Sequence, residues 1–99
     1  MRVVISQSAR LDLREIAHDI AQDNKDRAVS FVRELRQKVS ELGEPPNAFP
    51  IVRHIKQRDV RRRTHRGCLI FYQVRTDRVV VLRVLHGARD YENVAFYDA

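Results

Sequence analysis

The hydrophobic pattern of this chain changes period once, at the break formed by Gly43, Pro45 and Pro46, and that break limits the folds open to it. Before the break, apolar residues recur at helical spacing. Ala9, Leu13, Ile16, Ala17 and Ile20 make one stripe, and Ala28, Phe31, Val32, Leu35, Val39 and Leu42 make a second. Polar Gln22, Asp23 and Asn24 separate the two. Ser8 is expected to cap the first helix and Asn24 the second. Glu34 and Lys38 have the spacing of an i,i+4 ion pair on the outer face of the second helix. Gly43 suits a helix stop, and the two prolines prevent continuation.

After the break the chain turns β-prone. The segments 60–64 and 68–75 read as strands joined by a turn at His65, Arg66 and Gly67. Thr76 and Asp77 supply the next turn. Residues 78–86, rich in valine and leucine, form the most strand-like run. Arg2 to Ser6 reads as an opening strand, and residues 51–55, close to prolines, as an irregular lead-in. The expected fold is α+β in the order β-α-α-β-β-β, a helical hairpin packed on one face of an antiparallel sheet. Ninety-nine residues suffice for one domain, spanning 1–99, with one core.

Charge is distributed unevenly. Residues 1–52 carry eight basic and eight acidic side chains, and residues 67–99 carry four of each. The formal net charge of +6 therefore comes from Arg53 to Arg66, where seven cations face the single acid Asp59. A positive field this local suits nucleic acid or an acidic protein segment better than a neutral metabolite. A lone cysteine, Cys68, excludes an intrachain disulfide and a multi-cysteine zinc site. His18, His54, His65 and His86 have no metal-ligand spacing, and the three glycines are isolated, so no metal, cofactor or phosphate loop is expected. Without an apolar run long enough to cross a bilayer, or a leader-like start, the chain reads as cytoplasmic with no membrane partner.

Side-chain alternation along the last strand puts Val80, Leu82 and Val84 on one face and Val81, Arg83 and Leu85 on the other. An arginine is costly to bury under apolar helices without a partner, so Arg83 is assigned to an open face, flanked by Val81 and Leu85. On the basic strand, Arg61 and Arg63 share a face and Arg62 lies opposite.

The run 81–90, ending His86, Gly87, Ala88, Arg89, Asp90, together with segment 68–74 and the helical hairpin, resembles the ParE/RelE superfamily of bacterial type II toxins, and the ParE branch most. The likeness spans nearly the whole chain. It implies a toxin that inhibits DNA gyrase and is neutralised, in a hetero-oligomer, by a cognate ParD-like or RelB-like antitoxin whose C-terminal segment wraps it. Arg61, Arg63, Val81, Arg83, Leu85 and Arg89 are the expected contacts to antitoxin or target, arginine being suited to bidentate recognition. The alternative is a RelE-like endonuclease acting on ribosome-bound mRNA. Arg61 and Arg83 would then stabilise the phosphate, and His86, His65 or Tyr91 would move protons. Arginine stands where several such nucleases use lysine, and it is a poor general base. The gyrase reading needs no active site, and the first helix and the tail 91–99 are candidate target surfaces.

Overall fold

In the computed structural model, residues 1–53, 55–87 and 94–96 are described. The order is β1 (Arg2–Ile5), α1 (Gln7–Ala21), α2 (Lys25–Ser40), a 3-10 turn (Glu41–Gly43), β2 (Arg61–His65), β3 (Cys68–Val74) and β4 (Arg78–His86). The four strands form one sheet in the order β1-β4-β3-β2. The meander β2-β3-β4 is antiparallel, as expected. β1 instead joins β4 in parallel, Arg2 beside Arg78 and Ile5 beside Val81, so the sheet is mixed rather than wholly antiparallel. The parallel pairing is possible because the helical hairpin and two strands intervene as a long crossover.

The helices begin where capping chemistry directs. Asn24 accepts from the Arg27 amide at 2.9 Å, as expected. For α1 the cap is Ser6 rather than Ser8, which lies inside the helix. Ser6 Oγ accepts from the Ala9 amide at 3.1 Å and donates to the Leu82 carbonyl at 2.9 Å, fixing helix and strand together. Gly43 is required for a different reason from the helix stop expected of it. A Cβ there would lie 2.2 Å from the Met1 carbonyl oxygen, so the position is set by close backbone approach. The β2-β3 turn is a two-residue connection with positive φ at Arg66 (46°) and Gly67 (82°), the geometry that matches hairpin twist.

Both sheet faces are covered. One packs against the helices: Ala9, Leu13, Ile16, Phe31, Leu35 and Val39 meet Ile70, Tyr72, Val79, Val81 and Val84. The other carries Phe71, Val80, Leu82 and Leu85, and it is closed by Ile55, Val60 and Phe96. Phe96 meets Phe71 edge-on with ring centroids 5.1 Å apart, so this part of the tail is pinned to the sheet.

The expected open face is therefore not open, and the assignment on β4 is corrected at two points. Val81 faces the helices and Leu85 faces the second layer, and both are buried. The cause is a β-bulge. Phe71 pairs with Arg83 and the next residue, Tyr72, with Val81, leaving Leu82 as the extra residue. Strict alternation fails there, which moves Val79 and Val81, not Val80 and Leu82, onto the helical face.

Candidate functional site

Arg83 is not free for a ligand. Its Nε and Nη2 donate to the two carboxylate oxygens of Asp12 at 2.6 and 2.8 Å, and its Nη1 donates to the Ala95 carbonyl at 2.9 Å. The fork thus ties β4 to α1 on one side and to the tail on the other. Asp12 also accepts from the Val84 amide at 3.0 Å. The pairing favours the charged guanidinium, and the pKa of Arg83 is raised further by its hydrogen bonds to Asp12.

The basic strand is engaged locally too. Arg61 and Arg63 stand opposite Tyr72 and Ile70, so they share the helical side of the sheet, while Arg62 stands opposite Phe71 on the other. Arg61 donates to the Phe49 carbonyl at 2.7 Å. Arg63 donates to the Lys38 carbonyl at 3.0 Å and to Glu41 at 2.8 Å, with its guanidinium 4.8 Å from the Phe49 ring centre. These two arginines anchor Asn47 and Phe49 to the sheet and keep part of their surface exposed.

The candidate histidines His65 and His86 stand on the helical side, and His86 shares a small cleft with Asp12. His86 stands opposite Cys68, with its ring 6.2 Å from that of Phe31 on the helical side. His65 Nε2 is 2.9 Å from Glu34. Glu34 pairs with Arg27, His65 and Arg66, not with the expected Lys38. Hydrogen bonds from Arg27 and then His65 hold its carboxyl at about 2. The Cys68 thiol is buried, and burial pushes it up to about 11, which removes it as a nucleophile at neutral pH. Arg89 and Tyr91 lie outside the described residues.

Among the described residues, two clefts on the flanks of α2 are open to partners. Between α1 and α2 runs a groove of about 600 Å³ with Ala17, Ala21, Ala28, Val29 and Val32 on its floor and Arg14, His18 and Lys25 among its lining. Val29 is 60% exposed. On the other flank of α2, a cleft of about 510 Å³ opens toward the β2-β3 turn and is lined by polar and charged side chains.

The sequence matches the family described as ParE toxin of type II toxin-antitoxin system, parDE, over residues 3–91. The chain belongs to the ParE toxin family. A toxin of this family is one half of a toxin-antitoxin pair, so an antitoxin is its implied partner. No curated protein matches the chain closely enough to count as a relative. Among solved structures, the ParE-family toxin is similar to a chain of the chromosomal ParDE toxin-antitoxin system from P. aeruginosa. The TM-score is 0.74 at 20% identity, covering 89% of this chain and 97% of the other, a likeness of fold. Among the described residues, no helix of the toxin is long and apolar enough to cross a membrane.

Sequence reasoning overlooked two parts of this surface. Asp12 has a signal in the sequence, since it falls among Ala9, Leu13 and Ile16 on the stripe α1 buries. An acid on an apolar stripe asks for a cationic partner. The α1-α2 groove has a weaker one, because Val29 lies beside the buried stripe of α2 and only the helix crossing shows that it edges a groove.

Proposed function

We propose that this ParE-family toxin acts by binding DNA gyrase and is neutralised by a ParD-like antitoxin. The engagement of Arg83 carries the choice over an RNA-cutting mechanism. A nuclease would need that guanidinium free to meet a phosphate as charge develops, yet it is spent on Asp12 and the Ala95 carbonyl. His65 and His86 flank Cys68 at the turn end of the sheet, with ring centres 5.9 and 6.2 Å from that of Phe31, and His65 is held by Glu34. The reading needs no catalytic residue.

The antitoxin's seat in this reading is the α1-α2 groove. Its apolar floor suits the hydrophobic stripe of an amphipathic segment, and Arg14 and Lys25 suit acidic residues along that segment's edges. Contact thereby moves from the sheet, where Val81 and Leu85 are buried, to the helical hairpin. Arg61 and Arg63, on β2 near the C-terminal end of α2 and partly exposed, remain contacts for a segment that wraps beyond the groove.

The test is to induce the chain alone in a bacterial host and pulse-label DNA and protein synthesis, with purified gyrase assayed in parallel. DNA synthesis should fall first, and gyrase should accumulate cleaved DNA that disappears when antitoxin is added. Protein synthesis failing first, with gyrase unaffected, would transfer the assignment to ribosome-bound mRNA.

A further inference from the structure

The cleft between α2 and the β2-β3 turn differs in kind from the α1-α2 groove. Arg33, Lys38 and Arg66 line it, together with Ser30 and Gln37. No apolar residue contributes to it. The single carboxylate in the lining, Glu34, is already occupied by Arg27, His65 and Arg66. The excess positive field of Arg33 and Lys38 is therefore directed to solvent. Arg66 is carried forward by the turn, with its side chain 68% exposed.

We propose that this cleft seats the phosphate backbone of duplex DNA. An acidic protein segment that orders on binding gains most from apolar side chains that fill pockets, and this cleft offers only the carbon stems of polar and charged side chains. Phosphates need only cations and hydrogen-bond donors, which arginine, lysine, serine and glutamine provide. At 100° per residue, Ser30, Glu34, Gln37 and Lys38 face away from the flank of Ala28, Val29 and Val32, while Arg33, one turn from Val29, stands at the margin between the two surfaces. A toxin with its apolar groove filled by antitoxin would thus still present this cleft to DNA.

The test is fluorescence anisotropy of the purified full chain with a labelled random-sequence duplex at several salt concentrations, in the absence of gyrase and antitoxin. The variant Arg33→Ala/Lys38→Ala/Arg66→Ala should lose about 10-fold or more in affinity, and its log K against log salt slope should become shallower by about 2 to 3. A control of equal charge loss on exposed cations elsewhere, Arg2→Ala/Arg10→Ala/Lys56→Ala, should change affinity by less than about 3-fold at the same salt, since only contacting cations release counterions. Circular dichroism confirms that both variants fold. Equal losses in the two variants, no measurable binding by the wild-type chain, or tighter binding of polyglutamate than of DNA would each overturn the proposal. Because gyrase is absent, none of these outcomes bears on the target assigned above.

Discussion

Asp12 and Arg83 meet across 71 residues of sequence, and their bidentate contact closes the edge of β4 at the point where β1 stops covering it. β1 pairs only as far as Val81. From there the edge is completed by side chains. Ser6 Oγ donates to the Leu82 carbonyl, and Asp12 accepts from the Val84 amide. The first turns of α1 thus act as a continuation of the strand.

Removing Asp12 leaves the partly buried Arg83 with the Ala95 carbonyl, and removing Arg83 leaves the buried Asp12 carboxylate with the Val84 amide, each short of its opposite charge. Asp12→Ala is expected to cost roughly 3–5 kcal/mol of folding stability. Asp12→Asn should cost less, because its amide oxygen can still accept from Val84. Urea unfolding of both variants and of Arg83→Ala, arranged as a double-mutant cycle, measures the coupling. Additive losses from Asp12→Ala and Arg83→Ala would show that the pair does not act as a unit.

Glu34 should make the toxin sensitive to acid. Its folded pKa of about 2 lies below the ordinary glutamate value of 4.5. The stabilisation from its ion pairs is therefore complete above about pH 4.5 and is lost as the pH falls through the folded value near 2. Glu34→Gln should be less stable than wild type at pH 7, and the gap should close toward pH 2. Denaturant midpoints measured across that range, with a gap that stayed constant, would dismiss the ion pairs as its source.

Gly43→Ala should destabilise the chain although it adds only a methyl group. The new Cβ would lie 2.2 Å from the backbone carbonyl of Met1, and backbone must move to admit it. The expected cost is about 1–3 kcal/mol, read as a lower Tm. An unchanged Tm would mean that the N-terminal residue shifts freely.

The groove assignment makes a prediction that separates binding from folding. Val29 is largely exposed, so Val29→Glu should leave Tm nearly unchanged. If the antitoxin seats its apolar stripe there, the same substitution should weaken it by 10-fold or more, since a buried unpaired carboxylate is costly. Calorimetric titration with the antitoxin decides it, and unaltered affinity would place the seat elsewhere.

How far the sequence could be read depended on how local the signal was. The two helical stripes, the Asn24 cap, the hairpin at Arg66 and Gly67 and the extent of β4 follow from neighbouring residues, and the structure bears them out. The family was also legible, through the order of its elements. The errors are non-local. Alternation misplaced Val81 because a bulge depends on how β4 meets β3. Arg83 was placed on an open face because neither Asp12 nor the covering layer of Ile55, Val60 and Phe96 is near it in sequence. Glu34 sits one helical turn from Lys38 yet is taken by Arg27 and by the β2 end, where His65 and Arg66 arrive together.

The parallel pairing of Arg2 with Arg78 also has a bearing on how the toxin is made. Residues 2–5 are made long before β4, which among the described residues is the strand they pair with. Until β4 has emerged, the sheet lacks its central strand, and the apolar faces of α1 and α2 have little to pack on. Folding that must wait for such distant contacts comes late in synthesis. The sheet edge and the helical hairpin that rests on it therefore reach their final form together, once β4 is available to both.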